Sequence, residues 1–319
     1  MTTSCFSFTP LNKSTYKVVQ DDSLNELPFI YVKVYPTLLV LIDTGCGPNH
    51  AKDPTVEEKS VRRYIETNLE KEGKLKYVDP ETSETKNKHW LVFITHTHYD
   101  HIGGLFEFAD DSSIFISGYS QEYILKDLGC NSLCCAFNIP TPKFTVSHWL
   151  EQNEHLTFNG VDLHLEALIT PGHTPDEIAL YDSEEHVFYA GDSLYEVLPI
   201  YIIETSNMIE YVASIDMMLK YVQAKNKELE PLGVRVTTAS GHITDSADTE
   251  KLIVETQECF WDTLKGKAIL TEQKVMREKN ILIYMNEANN VGFMCIDTKL
   301  EEAKKHFGFE WQLPAPVSA

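Results

Sequence analysis

Thr95-His96-Thr97-His98-Tyr99-Asp100-His101-Ile102-Gly103-Gly104 puts four metal-binding side chains within six residues, in the pattern H-x-H-x-D-H. The stretch follows the apolar run Trp90-Leu91-Val92-Phe93-Ile94, which reads as a buried strand. His96 and His98 are two apart, so on an extended backbone they point to the same side and can pinch one metal ion. Asp100 and His101 fall where the chain turns into the next segment. They point elsewhere and can begin a second shell. Imidazole and carboxylate without thiolate suit zinc, and also manganese, cobalt or iron. The cluster therefore predicts two divalent metal ions and calls for about three more ligands from other parts of the chain.

Three candidates follow the same grammar of apolar strand, small residue, ligand. Thr170-Pro171-Gly172-His173-Thr174 presents a histidine in a turn after Leu163 to Ile169. Val187-Phe188-Tyr189-Ala190-Gly191-Asp192 ends a strand with an aspartate, and Val234 to Ser240 runs into Gly241-His242. Glycine beside a ligand lets the backbone approach closely. Taken singly, His242 reads as a turn residue and Asp192 as a helix N-cap. His50, His89, His148, His155, His164, His186 and His306 stand outside this grammar and read as surface or satisfied core histidines.

Together these motifs resemble the metallo-β-lactamase superfamily. The H-x-H-x-D-H cluster, the later single histidine, the Gly-Asp and the final Gly-His occur in the family's order, and Ile42-Asp43-Thr44-Gly45 matches an earlier family motif. The resemblance runs from about Tyr31 to His242. It implies that His96, His98 and His173 bind one metal and Asp100, His101 and His242 the other. Asp192 would bridge them, and Asp43 would hold ligands in place by hydrogen bonds. Asp43 also reads as a mere turn former before Gly45. The implied fold is an αββα sandwich of α+β layered type, in one domain over 1–319. Its core would span about 29–245, with a C-terminal helix and hairpin over 248–300 and a tail over 308–319.

The chemistry implied is hydrolysis of a carbonyl compound by a hydroxide bridging two metals, most readily zinc. Asp192 argues against an antibiotic β-lactamase, where Cys or Ser stands at that place. It resembles lactonases and glyoxalase II-type thioesterases. Tyr195, three residues after Asp192, resembles the lactonase tyrosine that hydrogen-bonds the reacting carbonyl, and it also reads as a core residue. Asp100 is the candidate proton donor to the leaving group. The expected activity is the opening of a small lactone or lactam ring, with acyl-thioester hydrolysis as the alternative and a nucleic-acid phosphodiesterase as a remote one. The apolar run 196–203 either lines a pocket or belongs to the core.

The formal net charge of −21 over 319 residues works against nucleic acid and anionic membranes as partners. A small-molecule substrate is the expected partner, and the oligomeric state is left open. Seven cysteines, no basic-then-apolar leader and no long apolar run fit reduced thiols in a cytoplasmic protein. Strands are expected over 29–43 with a turn at Tyr35-Pro36. Helices are expected over 54–72, where Val61, Ile65 and Leu69 share a face, and over 120–128, 207–225 and 248–265. The stretch 71–88 reads as a charged loop and 129–145 as an apolar one. A hairpin over 281–296 and an extended arm after Gly308 complete the reading.

Overall fold

A computed structural model describes residues 3–314, and the chain divides into two compact units, Met1–Glu151 and Gln152–Ala319. The architecture is mixed α/β. In the first unit the chain runs through β1 (Phe6–Pro10), β2 (Thr15–Gln20), β3 (Phe29–Val34), β4 (Leu38–Ile42), α1 (Val61–Lys71), β5 (Lys76–Val78), β6 (Thr85–Asn87), β7 (His89–Phe93), α2 (Tyr99–Ile102), β8 (Ser113–Ser117), α3 (Gln121–Asn131), α4 (Cys134–Phe137) and β9 (His148–Leu150). Seven strands form one sheet in the order β1-β2-β3-β4-β7-β8-β9. Pairing is antiparallel from β1 to β4 and parallel from β4 to β9. Leu38-Leu39-Val40-Leu41-Ile42 is buried along its whole length, as a central parallel strand requires. Its register sets Ile42 beside Phe93, so the next residues of both strands emerge together at one end of the sheet.

Helix α1 covers this sheet with Val61, Ile65 and Leu69, the face read from the sequence. It begins later than the expected Pro54. Residues before it are held in turns, where the Asp53 carboxylate accepts the Thr55 N–H at 2.9 Å. The start itself is set by Ser60, whose hydroxyl accepts the Arg63 N–H. Val18, Ile30, Leu39, Leu41, Ile65 and Val92 are fully buried in this unit's core. Each such side chain contributes roughly 1.5–3 kcal/mol through burial.

The second unit contains β10 (Glu154–Phe158), β11 (Val161–Ile169), β12 (Ile178–Asp182), β13 (Val187–Tyr189), β14 (Pro199–Ile202), α5 (Met208–Leu229), β15 (Thr237–Ala239), β16 (Ala247–Asp248), α6 (Thr249–Leu264), β17 (Ile269–Met276), β18 (Lys279–Met285), β19 (Gly292–Ile296) and α7 (Asp297–His306). Six strands form a sheet in the order β10-β11-β12-β13-β15-β16, and four form another in the order β14-β19-β18-β17. Asn207 caps α5 by accepting the N–H groups of Ile209 and Glu210, and Asp248 caps α6 through Lys251. Phe188, Met218, Val222, Ile253, Phe293 and Leu300 are fully buried together.

The expected loop over 71–88 contains the short hairpin β5–β6, and the expected apolar loop over 129–145 contains the end of α3 and the single turn α4. The C-terminal hairpin is joined by β17 and followed by α7. Residues 309–314 form no regular element, and 315–319 of the expected arm lie outside the described residues, as do Met1 and Thr2. Among the described residues no helix is long and apolar enough to cross a membrane.

Candidate metal centre

The first ligand set is built at the end of β7. Asp43 follows β4 in a left-handed conformation (φ 62°) that a short polar residue tolerates. Asp43 is 2 % exposed, and its carboxylate accepts three hydrogen bonds. The Thr95 N–H donates to Oδ1 at 2.8 Å, and the Thr95 hydroxyl donates to Oδ2 at 2.8 Å. His101 Nδ1 lies 2.8 Å from Oδ2. The next residue, Thr44, ties itself to the His101 carbonyl through its N–H and its hydroxyl, both at 2.8 Å. One two-residue turn therefore fixes both ends of the 95–101 stretch. Asp43 thus holds Thr95 and the candidate ligand His101 by hydrogen bonds.

Between those ends the strand gives way to the single turn α2. His98 is extended, and its carbonyl accepts the N–H groups of His101 and Ile102. His96 Nε2 and His98 Nδ1 lie 3.1 Å apart, which agrees with their pointing to one side. The His96 and His101 rings are 4.1 Å apart, centroid to centroid. Ligand atoms of His96 and His101, and of Asp100 and His101, fall within 4.8 Å of each other. All four side chains are buried. Two residues on, Gly103 allows the Cys46 backbone to pass, because a Cβ there would lie 2.3 Å from the Cys46 carbonyl carbon.

The second ligand set comes from three separate strand ends. His173 follows β11, Asp192 follows β13 and His242 follows β15. Parallel pairing of β13 with β15 continues past the strands, where the Gly241 N–H donates to the Gly191 carbonyl at 2.7 Å. This sets Asp192 and His242 side by side. His173 Nδ1 donates to the Tyr201 carbonyl of β14 at 2.8 Å, which makes Nε2 the nitrogen that could coordinate a metal ion. His101 is oriented in the same way by Asp43. Gly172, just before His173, has φ 153°, and a Cβ on it would lie 2.4 Å from the Tyr211 Cα of α5.

Asp192 Oδ2 lies 3.7 Å from His173 Nε2 and 3.7 Å from His242 Nε2. These spacings exceed a hydrogen bond. They approach the ~3.4 Å that separates two ligands at about 2.1 Å around a tetrahedral ion. The donor set thus fits a metal held by imidazole and carboxylate, with one carboxylate between two imidazoles.

Residues that sequence reasoning passed over hold this second set. The Asp192 N–H donates to Glu177 Oε1 at 2.8 Å, and Glu177 is completely buried. Burial first, and then the neighbouring Asp192 carboxylate, push the Glu177 carboxyl well above the usual range. A carboxylate heading the apolar run Ile178-Ala179-Leu180-Tyr181 was its only sequence signal. A carbonyl such as that of Tyr201 leaves none. In the run 196–203, Ile200 and Ile202 are buried in the core cluster, so these two residues take the core alternative. Tyr195 is 5 % exposed, and its ring packs edge-on to His242 with centroids 6.0 Å apart. His155 and His164 pair with Asp162 at the surface, and His89 bonds the Ser113 hydroxyl.

Residues 91–225 match the family described as the metallo-beta-lactamase superfamily, a span that takes in every candidate ligand except His242. A protein of Aspergillus versicolor, avaE, described provisionally as a transcription factor, is 28% identical over 318 residues, covering 94% of this chain and 88% of its own. The chicken (Gallus gallus) protein MBLAC2, named an acyl-coenzyme A thioesterase, is 26% identical over 41% of this chain and 51% of its own. The chain thus spans most of the first relative and about half of the second. Among solved structures, a metallo-beta-lactamase family protein from Thermus thermophilus superposes with a TM-score of 0.55 at 19% identity. The match covers 83% of this chain and 86% of that one. Residues 91–225 thus match a metallo-beta-lactamase superfamily domain, and the fold is the one seen in that superfamily's solved structures.

Proposed function

We propose that the chain is a metal-dependent hydrolase that opens a small lactone or lactam-type ring. His96, His98 and His173 would hold one divalent ion, Asp100, His101 and His242 a second, and Asp192 both. Zinc suits this donor set best, and manganese, cobalt and iron are compatible with it. Such ions supply an acidified water and an electrophile for the carbonyl oxygen. The observation that carries the reading is the oriented ligand set. His101 and His173 each spend Nδ1 on an oxygen acceptor and present Nε2, and the Asp192 carboxylate stands equidistant from two imidazoles.

The remaining work falls to the chain's own groups. Tyr195, seated against His242, donates its hydroxyl hydrogen bond to the carbonyl oxygen as negative charge develops there. Asp100 carries a proton to the departing alkoxide or amide. Glu177 and Asp43 keep the ligands from reorienting as that charge develops.

Acyl-thioester hydrolysis is the second reading, favoured by the likeness to MBLAC2, which is named an acyl-coenzyme A thioesterase. Binding of nucleic acid, which the description of avaE would suggest, is opposed by the formal net charge of −21, and a small molecule is the proposed partner.

The test is metal content by elemental analysis, followed on the same sample by turnover of one lactone, one lactam and one thioester. Two metals per chain with ring opening is the expected result. Thiol release with intact rings moves the assignment to the thioesterase reading. Fewer than one metal per chain after supplementation would sink the ligand assignment.

A further inference from the structure

The segment from Cys130 to Cys135 has no part in the metal reading, yet it carries its own chemistry. Both thiols are exposed and neither is in a disulfide. The chain reverses between them. Leu128 and Cys130 carbonyls accept the N–H groups of Ser132 and Leu133 at 2.8 and 3.0 Å, and Leu133 takes a left-handed φ of 63°. This reversal brings Cys135 back over the end of α3, where its sulfur neighbours the Cys130 thiol. Gly129 makes the room, since a Cβ there would lie 3.0 Å from Cys135 Sγ. Cys134, next in sequence, is fully buried with Cys46, Tyr99 and Ile139, which removes it from competition.

We propose that Cys130 and Cys135 form a thiol–disulfide exchange site, which closes into an intramolecular disulfide at the expense of a small disulfide of the oxidised-glutathione class. The Asp127 carboxylate and the Cys135 sulfur push the Cys130 thiol up to about 11. The Cys135 thiolate takes one sulfur of the small disulfide, whose S–S bond breaks and releases one thiol. Cys130 Sγ then attacks Cys135 Sγ, and its proton goes to the second departing thiolate. Two protein thiols lose two electrons and two protons, and the small disulfide becomes two thiols. The closed loop contains Ser132, whose carbonyl accepts the Tyr99 N–H at 2.9 Å. The bridge therefore constrains the segment that seats the residue between His98 and Asp100.

The experiment treats the full-length protein with oxidised glutathione, measures the intact mass, and fragments the tryptic peptide 127–143. The expected result is loss of two hydrogen atoms, a bridge assigned to Cys130 and Cys135, and full reversal by dithiothreitol. Cys130→Ser should stop at one stable glutathione adduct on Cys135, with an unchanged circular dichroism spectrum. Stable adducts on both residues of the unaltered chain, a bridge to Cys134, or two unreacted thiols would each overturn the proposal.

Discussion

The two ligand sets are built in opposite ways. The first is contiguous, with His96, His98, Asp100 and His101 inside one strand end and one helical turn. A single carboxylate, Asp43, holds the stretch at Thr95 and again at His101. The second is dispersed over residues 173 to 242, and each ligand answers to a different anchor. Tyr201 orients His173, Glu177 holds the Asp192 peptide, and the Gly191 carbonyl fixes the Gly241 turn before His242. A contiguous set concentrates its vulnerability in one residue. A dispersed set divides it.

Asp43→Ala is the sharpest way to break this contrast. It removes one acceptor from three buried donors, so stability should fall by about 3 kcal/mol. The first set should lose its metal with it. Urea denaturation and elemental analysis check both, and a loss below about 1 kcal/mol would mean that the contiguous set has no single anchor.

Tyr195→Phe comes next. Removing one donor aimed at developing charge should lower turnover roughly a hundredfold while leaving metal content unchanged. Equal turnover in the two proteins would return Tyr195 to the core.

Glu177→Ala should do less than Asp43→Ala, because it deprives one N–H of its acceptor. The expected cost is about 1–2 kcal/mol, and metal affinity should fall roughly tenfold in a chelator competition. Glu177→Gln, which keeps an acceptor oxygen, should recover most of both. If Glu177→Ala matched Asp43→Ala, the dispersed set would not be dispersed in energy.

The smallest effect belongs to His155→Ala, at a surface histidine paired with Asp162. Stability should stay within about 0.5 kcal/mol and metal content should not change.

The contrast also governs what could be read from the chain. His96 to His101 is legible because ligand chemistry is dense there and follows an apolar strand. His173, Asp192 and His242 are each ambiguous alone and become legible only through their order. The strands over 29–43 and the buried face of α1 follow from periodicity. The hairpin β5–β6 was hidden because its strands are three residues long and are exposed at both ends, so no apolar alternation marks it. Strand β17 was hidden for a related reason, since as an edge strand it is buried at no position. Anchors were the least legible part. Asp43 shows through a motif, but the Tyr201 carbonyl is a backbone atom, and no side chain announces it.

That carbonyl has a consequence for the order in which the protein matures on the ribosome. Strand β14, which carries Tyr201, is an edge strand whose neighbour is β19, formed by Gly292–Ile296. The entire seven-stranded sheet, with the first ligand set, is encoded before residue 152. The anchor of His173 stays unsupported until nearly all of these residues have been translated, and folding proceeds from the N-terminus during synthesis. A nascent chain therefore presents four of its seven candidate ligands early and completes the seating of the other three last. A premature stop between His242 and β19 yields a product that retains every candidate ligand yet leaves one of them without its seat.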